Sequence, residues 1–219
     1  MIDKLLPRPI VVSEAFDDRP LSDMFPEERA AVARAVPARQ REFGTVRACA
    51  RAALAEFGIA PAPLLPGPDR APRWPDGLVG AMTHCTGYRA AAVARTSDFA
   101  SVGLDAEPHQ PVRDAGVVDL VTLPEEREQL SRLRAAQPDV HWDRLIFSAK
   151  ESVYKAWYPL TGRWLDFEEA HLTLDPTDAT FTARLLVEGP VVDGVRVSAF
   201  QGRWLVASGL VVTAITVPR

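Results

Sequence analysis

The chain has 219 residues, 47% hydrophobic and 25% charged, which excludes a disordered tail, a coiled coil and a collagen-like chain. Lys and Arg total 25 against 29 Asp and Glu, a formal charge of -4, so broad binding to a nucleic-acid backbone is not expected. Cys49 and Cys85 make neither a disulfide framework nor a zinc set, and no signal-peptide core or membrane-length apolar run is present, so a cytoplasmic protein with no membrane partner is expected.

Residues 1–24 read as irregular. Pro26 opens a helical run, PEERAAVARAV, with acids in its first turn. Pro37 opens a second, PARQREFGTVRACARAALAEFG, in which Phe43, Val46, Ala50, Leu54 and Phe57 recur at three- and four-residue steps and Gly58 marks the stop. The proline-rich stretch APAPLLPGPDRAPRWPDG cannot be a regular helix or central strand. With Arg70, Arg73 and Trp74 it reads either as a linker or as a ligand-facing loop. LVGAMTH, YRAAAVAR and FASVGLDAE then read as strands of an antiparallel meander. Pro111 to Leu123 is mixed, EEREQLSRLRAA reads as a helix, and HWDRLIFSAKESVYKAWYPL reads as the clearest helix, stopped by Pro159. HLTLD, TFTARLLVEG, VRVSAFQG, RWLVASGL and VVTAITV read as a further antiparallel sheet. No repeat with a period of about 20 to 50 residues is visible. The order of helices, strands, helices, strands predicts an α+β fold of two similar lobes, residues 1–104 and 105–219, each an antiparallel sheet packed with helices, with the site at the lobe interface.

Asp105 and Glu107 leave a strand on the same face, where two carboxylates repel unless a cation lies between them. A hard cation with oxygen ligands suits that pair; a solvated strand end before Pro108 suits it too. On the following helix, Phe147, Glu151, Tyr154 and Tyr158 form one stripe, and Ile146, Lys150, Val153 and Trp157 form its neighbour. Each stripe sets one charge among apolar groups, and each charge needs a partner. A Glu151–Lys155 pair at i,i+4 accounts for one of them; a third carboxylate meeting Asp105 and Glu107 over a metal accounts for the placement of Glu151. The chain has three lysines, Lys4, Lys150 and Lys155, against 22 arginines; the two in this helix either fall together by chance or mark sites that need a compact ammonium. Arg39 and Arg47 share a helix face about 12 Å apart, and Arg51 continues the row. That row is either a solvated face or, with Arg70 and His84, a clamp for phosphate oxygens. No G-x-S-x-G and no Cys/His pairing at a recognisable spacing is present.

GLDAE followed by FSAKESVYKAW resembles the paired signature of the 4'-phosphopantetheinyl transferases, in particular the large pseudo-twofold bacterial group that activates nonribosomal-peptide and polyketide carrier proteins. REFGTVRACAR, RAPRWPDGLVGAMTHC and the Trp164 region extend the likeness over about residues 38–170. The resemblance implies a pseudo-twofold monomer that moves the phosphopantetheine arm of coenzyme A to an apo acyl or peptidyl carrier protein with Mg²⁺, Mn²⁺ being the alternative ion. It implies a metal set of Asp105, Glu107 and Glu151, with the Ala106 carbonyl facing the site. It implies Arg39, Arg47, Arg70, Thr83 and His84 on the phosphates, Lys150 and Lys155 on those nearer the reaction, and Glu151 as general base with Lys155 beside it. Two other readings are a non-catalytic coenzyme A or nucleotide sensor and a metal-dependent nucleotide pyrophosphatase.

Overall fold

The computed structural model describes residues 1–67 and 71–219. After a 3-10 turn at Ile2–Lys4, the chain forms β1 (Val11–Ala15), α1 (Pro26–Ala31), α2 (Pro37–Ala55), β2 (Leu78–Cys85) and β3 (Tyr88–Arg95). These strands make an antiparallel sheet in the order β1-β3-β2. One face of its hairpin packs on α2 through Leu78, Ala91 and Val93 against Cys49, Ala50, Ala53 and Leu54. The predicted stripe of α2 is the reason: Phe43, Val46, Ala50 and Leu54 are all buried. The opposite face, with Val79, Ala81, Ala90 and Ala92, packs on Val102, Leu104 and Ala106 of the next strand.

That strand, β4 (Phe99–Pro108), is followed by α3 (Ala115–Val121), α4 (Pro124–Ala136), α5 (Trp142–Thr161) and the strands β5 (Ala170–Asp175), β6 (Thr180–Leu185), β7 (Val191–Val192), β8 (Val195–Arg196), β9 (Ala199–Ala207) and β10 (Leu210–Pro218). A second antiparallel sheet runs β4-β10-β9-β6-β5, with β7 and β8 as a separate hairpin. The α+β class holds, and several expectations change. β4 does not complete a meander with β3; it ladders to β10, with Asp105 opposite Thr213 and Glu107 opposite Val211. A division between 104 and 105 therefore falls inside a strand. Residues 1–24 are not wholly irregular, because β1 pairs with β3. α1 ends at Ala31, short of the predicted run, and the mixed stretch contains α3. Pro159 does not stop α5: it lies in the last turn, and the helix ends at Gly162, whose left-handed backbone (φ 62°) lets its N–H reach the Tyr158 carbonyl at 2.8 Å.

Both halves of the chain use the same buried buckle. FPEER begins α1 and LPEER begins α4. In the first, the Glu28 carboxylate accepts from the Phe25 N–H (3.2 Å), the Leu64 N–H (2.9 Å) and Arg51 of α2 (2.6 Å). In the second, the Glu126 carboxylate accepts from the Leu123 N–H (2.7 Å), the Leu172 N–H (2.6 Å) and Lys150 of α5 (2.9 Å). Each glutamate thus caps its own helix, ties it to the longer helix that follows, and anchors the chain beyond it. No helix among the described residues is long and apolar enough to cross a membrane.

Candidate active site

Between Ser101 and Glu107 the odd-numbered residues of β4 face α5, as strand alternation requires. The Ser101 hydroxyl donates to the Ala156 carbonyl at 2.7 Å. Gly103 lies so close to α5 that a Cβ would overlap the Ser152 carbonyl. Asp105 and Glu107 continue the same face and meet the charged row Arg144, Glu151 and Lys155, at i, i+7 and i+11 of α5.

Asp105 is buried. Its Oδ1 accepts from Lys155 Nζ at 2.7 Å and from the Thr83 hydroxyl at 3.2 Å, while its Oδ2 is buried without a hydrogen-bond partner among the described residues. Glu107 accepts from Arg144 at 3.1 Å. Burial, and then the Asp105 charge, push the Glu107 carboxyl up to about 7, against the pull of Arg144 and Lys155. Burial also raises the Glu151 carboxyl; Lys155 draws it down and Asp105 pushes it up. Glu151 borders a cavity of about 110 Å³ that Tyr154, Trp164 and Phe167 also line.

The first sheet supplies the neighbouring polar groups. On β2, Thr83 braces Asp105 and also accepts the Ala106 N–H at 3.0 Å. His84 receives a hydrogen bond from Arg39 of α2. The Glu42 carboxylate lies 3.3 Å from Arg39 and 3.6 Å from His84. Burial lowers His84 to about 4, aided by the charges of Arg39, Lys155 and Arg89, so its ring is neutral at pH 7 and accepts from the guanidinium.

The predicted residues therefore separate. Asp105, Glu107, Glu151 and Lys155 come together, with Arg39 and His84 as a second group. Thr83 is a strut under the acids, 2% exposed, rather than an open ligand for phosphate. Ala106 points its side chain into the core on the other face of β4. Arg47 is buried, donating to the carbonyls of Leu64 (2.7 Å) and Phe43 (3.3 Å) with its guanidinium over the Phe43 ring. Arg51 is held by Glu28. The arginine row is thus neither a solvated face nor one continuous clamp. Lys150 is sealed inside, bonded to Glu126 and to the carbonyls of Phe167 and Ala170 at 2.6 Å each. Arg70 lies outside the described residues. Sequence reasoning missed Arg144, although its helical phase with Glu151 and Lys155 was there to read, and Glu126, whose only signal was its place after a helix-opening proline.

Among the described residues no three His, Cys, Asp or Glu side chains already form a set that could hold a metal ion. Lys155 instead supplies the positive charge at Asp105. The donor set still fits a hard divalent cation: the groups are carboxylate oxygens, one of them is buried with no partner among the described residues, and burial and the Asp105 charge raise the Glu107 carboxyl to about 7 even with Arg144 at 3.1 Å, a cost that a bound cation would relieve.

The models of two families match the chain: the 4'-phosphopantetheinyl transferase N-terminal domain over residues 27–94, and the 4'-phosphopantetheinyl transferase superfamily over residues 101–200. The chain is 63% identical to 4'-phosphopantetheinyl transferase Svp of Streptomyces mobaraensis, over 99% of this chain and 89% of the relative. It is 48% identical to 4'-phosphopantetheinyl transferase PptT of Mycobacterium tuberculosis, over 94% and 91% respectively. It is 46% identical to 4'-phosphopantetheinyl transferase Npt of Nocardia iowensis, over 98% and 99%. The second match begins at the strand that carries the acid pair and runs through the whole of α5. With both matches together spanning most of its length, the chain belongs to the 4'-phosphopantetheinyl transferase family of enzymes.

Proposed function

We propose that the protein transfers the 4'-phosphopantetheine arm of coenzyme A to a serine hydroxyl of an apo acyl or peptidyl carrier protein and releases 3',5'-ADP. The serine oxygen forms a bond to the β-phosphorus, the bridge to the α-phosphate breaks, and the serine proton is taken up by a base. The observation that carries this reading is the cluster of Asp105, Glu107, Glu151 and Lys155 between β4 and α5, beside the Arg39–His84 pair. Asp105, Glu107 and Glu151, with the Ala106 carbonyl, would hold Mg²⁺ or Mn²⁺, which when bound polarises phosphoryl oxygens. Glu151, whose carboxyl is raised above its ordinary value by burial, is the base for the serine hydroxyl. Lys155 offers an ammonium to the departing phosphate oxygen. Arg39 and His84, with Arg70, bind the phosphates of the adenosine end, Arg39 by charge and His84 as a neutral ring.

Because one chain supplies both groups of residues, the protein acts as a monomer, in the cytoplasm where carrier proteins and coenzyme A are found. The test is incubation with coenzyme A, Mg²⁺ and an apo carrier protein, read by mass spectrometry. The expected result is a carrier heavier by one phosphopantetheine arm. Release of 3',5'-ADP with an unmodified carrier would instead favour a pyrophosphatase, and binding without product a sensor. Glu151→Gln is expected to keep the fold and lower kcat by about 10²- to 10⁴-fold, the usual range for a lost general base; a variant of normal activity would remove Glu151 from the chemistry.

A further inference from the structure

Glu107 stands one residue before the end of β4, where the ladder to β10 ends with Pro108 opposite Leu210 and the His109 N–H donates to the Gly209 carbonyl at 2.8 Å. The segment beyond it is gripped from the first turn of α5. The His141 N–H donates to His109 Nε2 at 3.1 Å, and Asp143 accepts the Val112 N–H at 2.9 Å. Arg144 makes three contacts on this stretch: Nη1 to Glu107 Oε2 at 3.1 Å, Nε to the Gln110 carbonyl at 3.2 Å and Nη2 to the Pro111 carbonyl at 3.3 Å. Its side chain is only 20% exposed.

The two backbone contacts fix the plane of the guanidinium, and that plane fixes the carboxylate. A guanidinium can do this because its donors form a rigid fork; an ammonium has no such plane. The contact with Glu107 engages Oε2, and Oε1 accepts no hydrogen bond from the described residues. Asp105 shows the same division, with Lys155 and Thr83 on Oδ1 and Oδ2 left without a partner among the described residues. We propose that Arg144 is the positioning residue for Glu107: by spanning α5 and the end of β4 it holds one oxygen of that acid and presents the other to the cation of the acid cluster. This rests on the reading that Asp105, Glu107 and Glu151 bind a divalent cation.

The role is tested on the full chain with coenzyme A and no carrier, measuring Mn²⁺ affinity by the paramagnetic resonance of free Mn²⁺ and recording the thermal midpoint alongside. Arg144→Gln and Arg144→Ala are expected to weaken Mn²⁺ binding by about 10- to 100-fold, the usual cost of losing a group that orients a metal ligand. In turnover with carrier, they raise the Mg²⁺ concentration for half-maximal rate and leave the KM for coenzyme A at saturating Mg²⁺ unchanged. Arg144→Lys, which keeps the charge without the fork, recovers part of the loss. Asp143→Asn, which loosens the same segment without touching Glu107, keeps wild-type Mn²⁺ affinity. Unchanged or tighter Mn²⁺ binding in Arg144→Gln overturns the positioning role while leaving the metal reading intact. So does an equal loss in Asp143→Asn, which would make the grip a matter of general stability. Wild-type protein that binds no Mn²⁺ overturns the metal reading and this role with it.

Discussion

Lys150 has three ammonium protons and three acceptors within reach: Glu126 at 2.9 Å and the carbonyls of Phe167 and Ala170 at 2.6 Å each. This closed cage explains why an arginine-rich chain keeps a lysine there. A planar guanidinium is too large for it and its donors point the wrong way. Lys150→Arg is expected to cost about 1–3 kcal/mol by overpacking, read as a lower urea midpoint, while the folded fraction keeps its KM for coenzyme A. A raised KM with unchanged stability would return Lys150 to the phosphates. The sequence showed that Lys150 needed a partner; that the partner is Glu126 on another helix could not be read from periodicity, which describes one helix at a time. His84 offers a test by pH. Its folded value, about 4, lies below the ordinary 6.5, so between these pH values the unfolded chain binds a proton that the folded chain refuses. Stability from this group is therefore complete above pH 6.5 and declines as pH falls toward 4. His84→Gln is expected to lose less stability than the parent between pH 7 and pH 4.5, measured by urea unfolding; equal losses would mean the ring is protonated in the fold.

Among the elements, β4 and α5 position the chemistry, and Gly103 sets how closely they approach. The obstacle to a larger residue there is the Ser152 carbonyl, a helix backbone atom that cannot swing aside. Gly103→Ala is expected to lower the thermal midpoint by the equivalent of about 1–3 kcal/mol and to reduce kcat, since the acids and the α5 charges are moved apart together. Wild-type stability would show that the contact yields freely. Helices and strands with strong periodicity were legible, α2 and α5 above all. β1 was not, because all five of its residues are half-buried and give no alternation to read. The pairing of β4 with β10 was invisible for another reason. A strand buried on both faces carries no mark of its neighbour, and β10 lies a hundred residues further along the chain. The acids of β4 and the charges of α5 were readable as candidates; their meeting depends on that long-range ladder.

At the level of the whole molecule, FPEER and LPEER build one device twice, with a guanidinium in the first copy and an ammonium in the second. Glu126→Gln is expected to destabilise the protein by about 3–5 kcal/mol, because it strands a buried cation. Glu28→Gln is expected to cost less, since the Arg51 side chain is 11% exposed whereas that of Lys150 is 1% exposed. Chemical denaturation of the two variants checks the order, and equal losses would deny that solvent reaches Arg51. Asp105 Oδ1, meanwhile, is gripped from both sheet assemblies at once, by Thr83 of β2 and by Lys155 beside the second sheet. A chain severed in the Thr96–Asp98 turn would leave nearly all bonds of either fragment undisturbed yet take that junction apart. Asp105, Glu107, Glu151 and Lys155 would stay together in one fragment, while the Thr83 brace and the Arg39–His84 pair would leave with the other, so regained turnover would report fragment assembly directly.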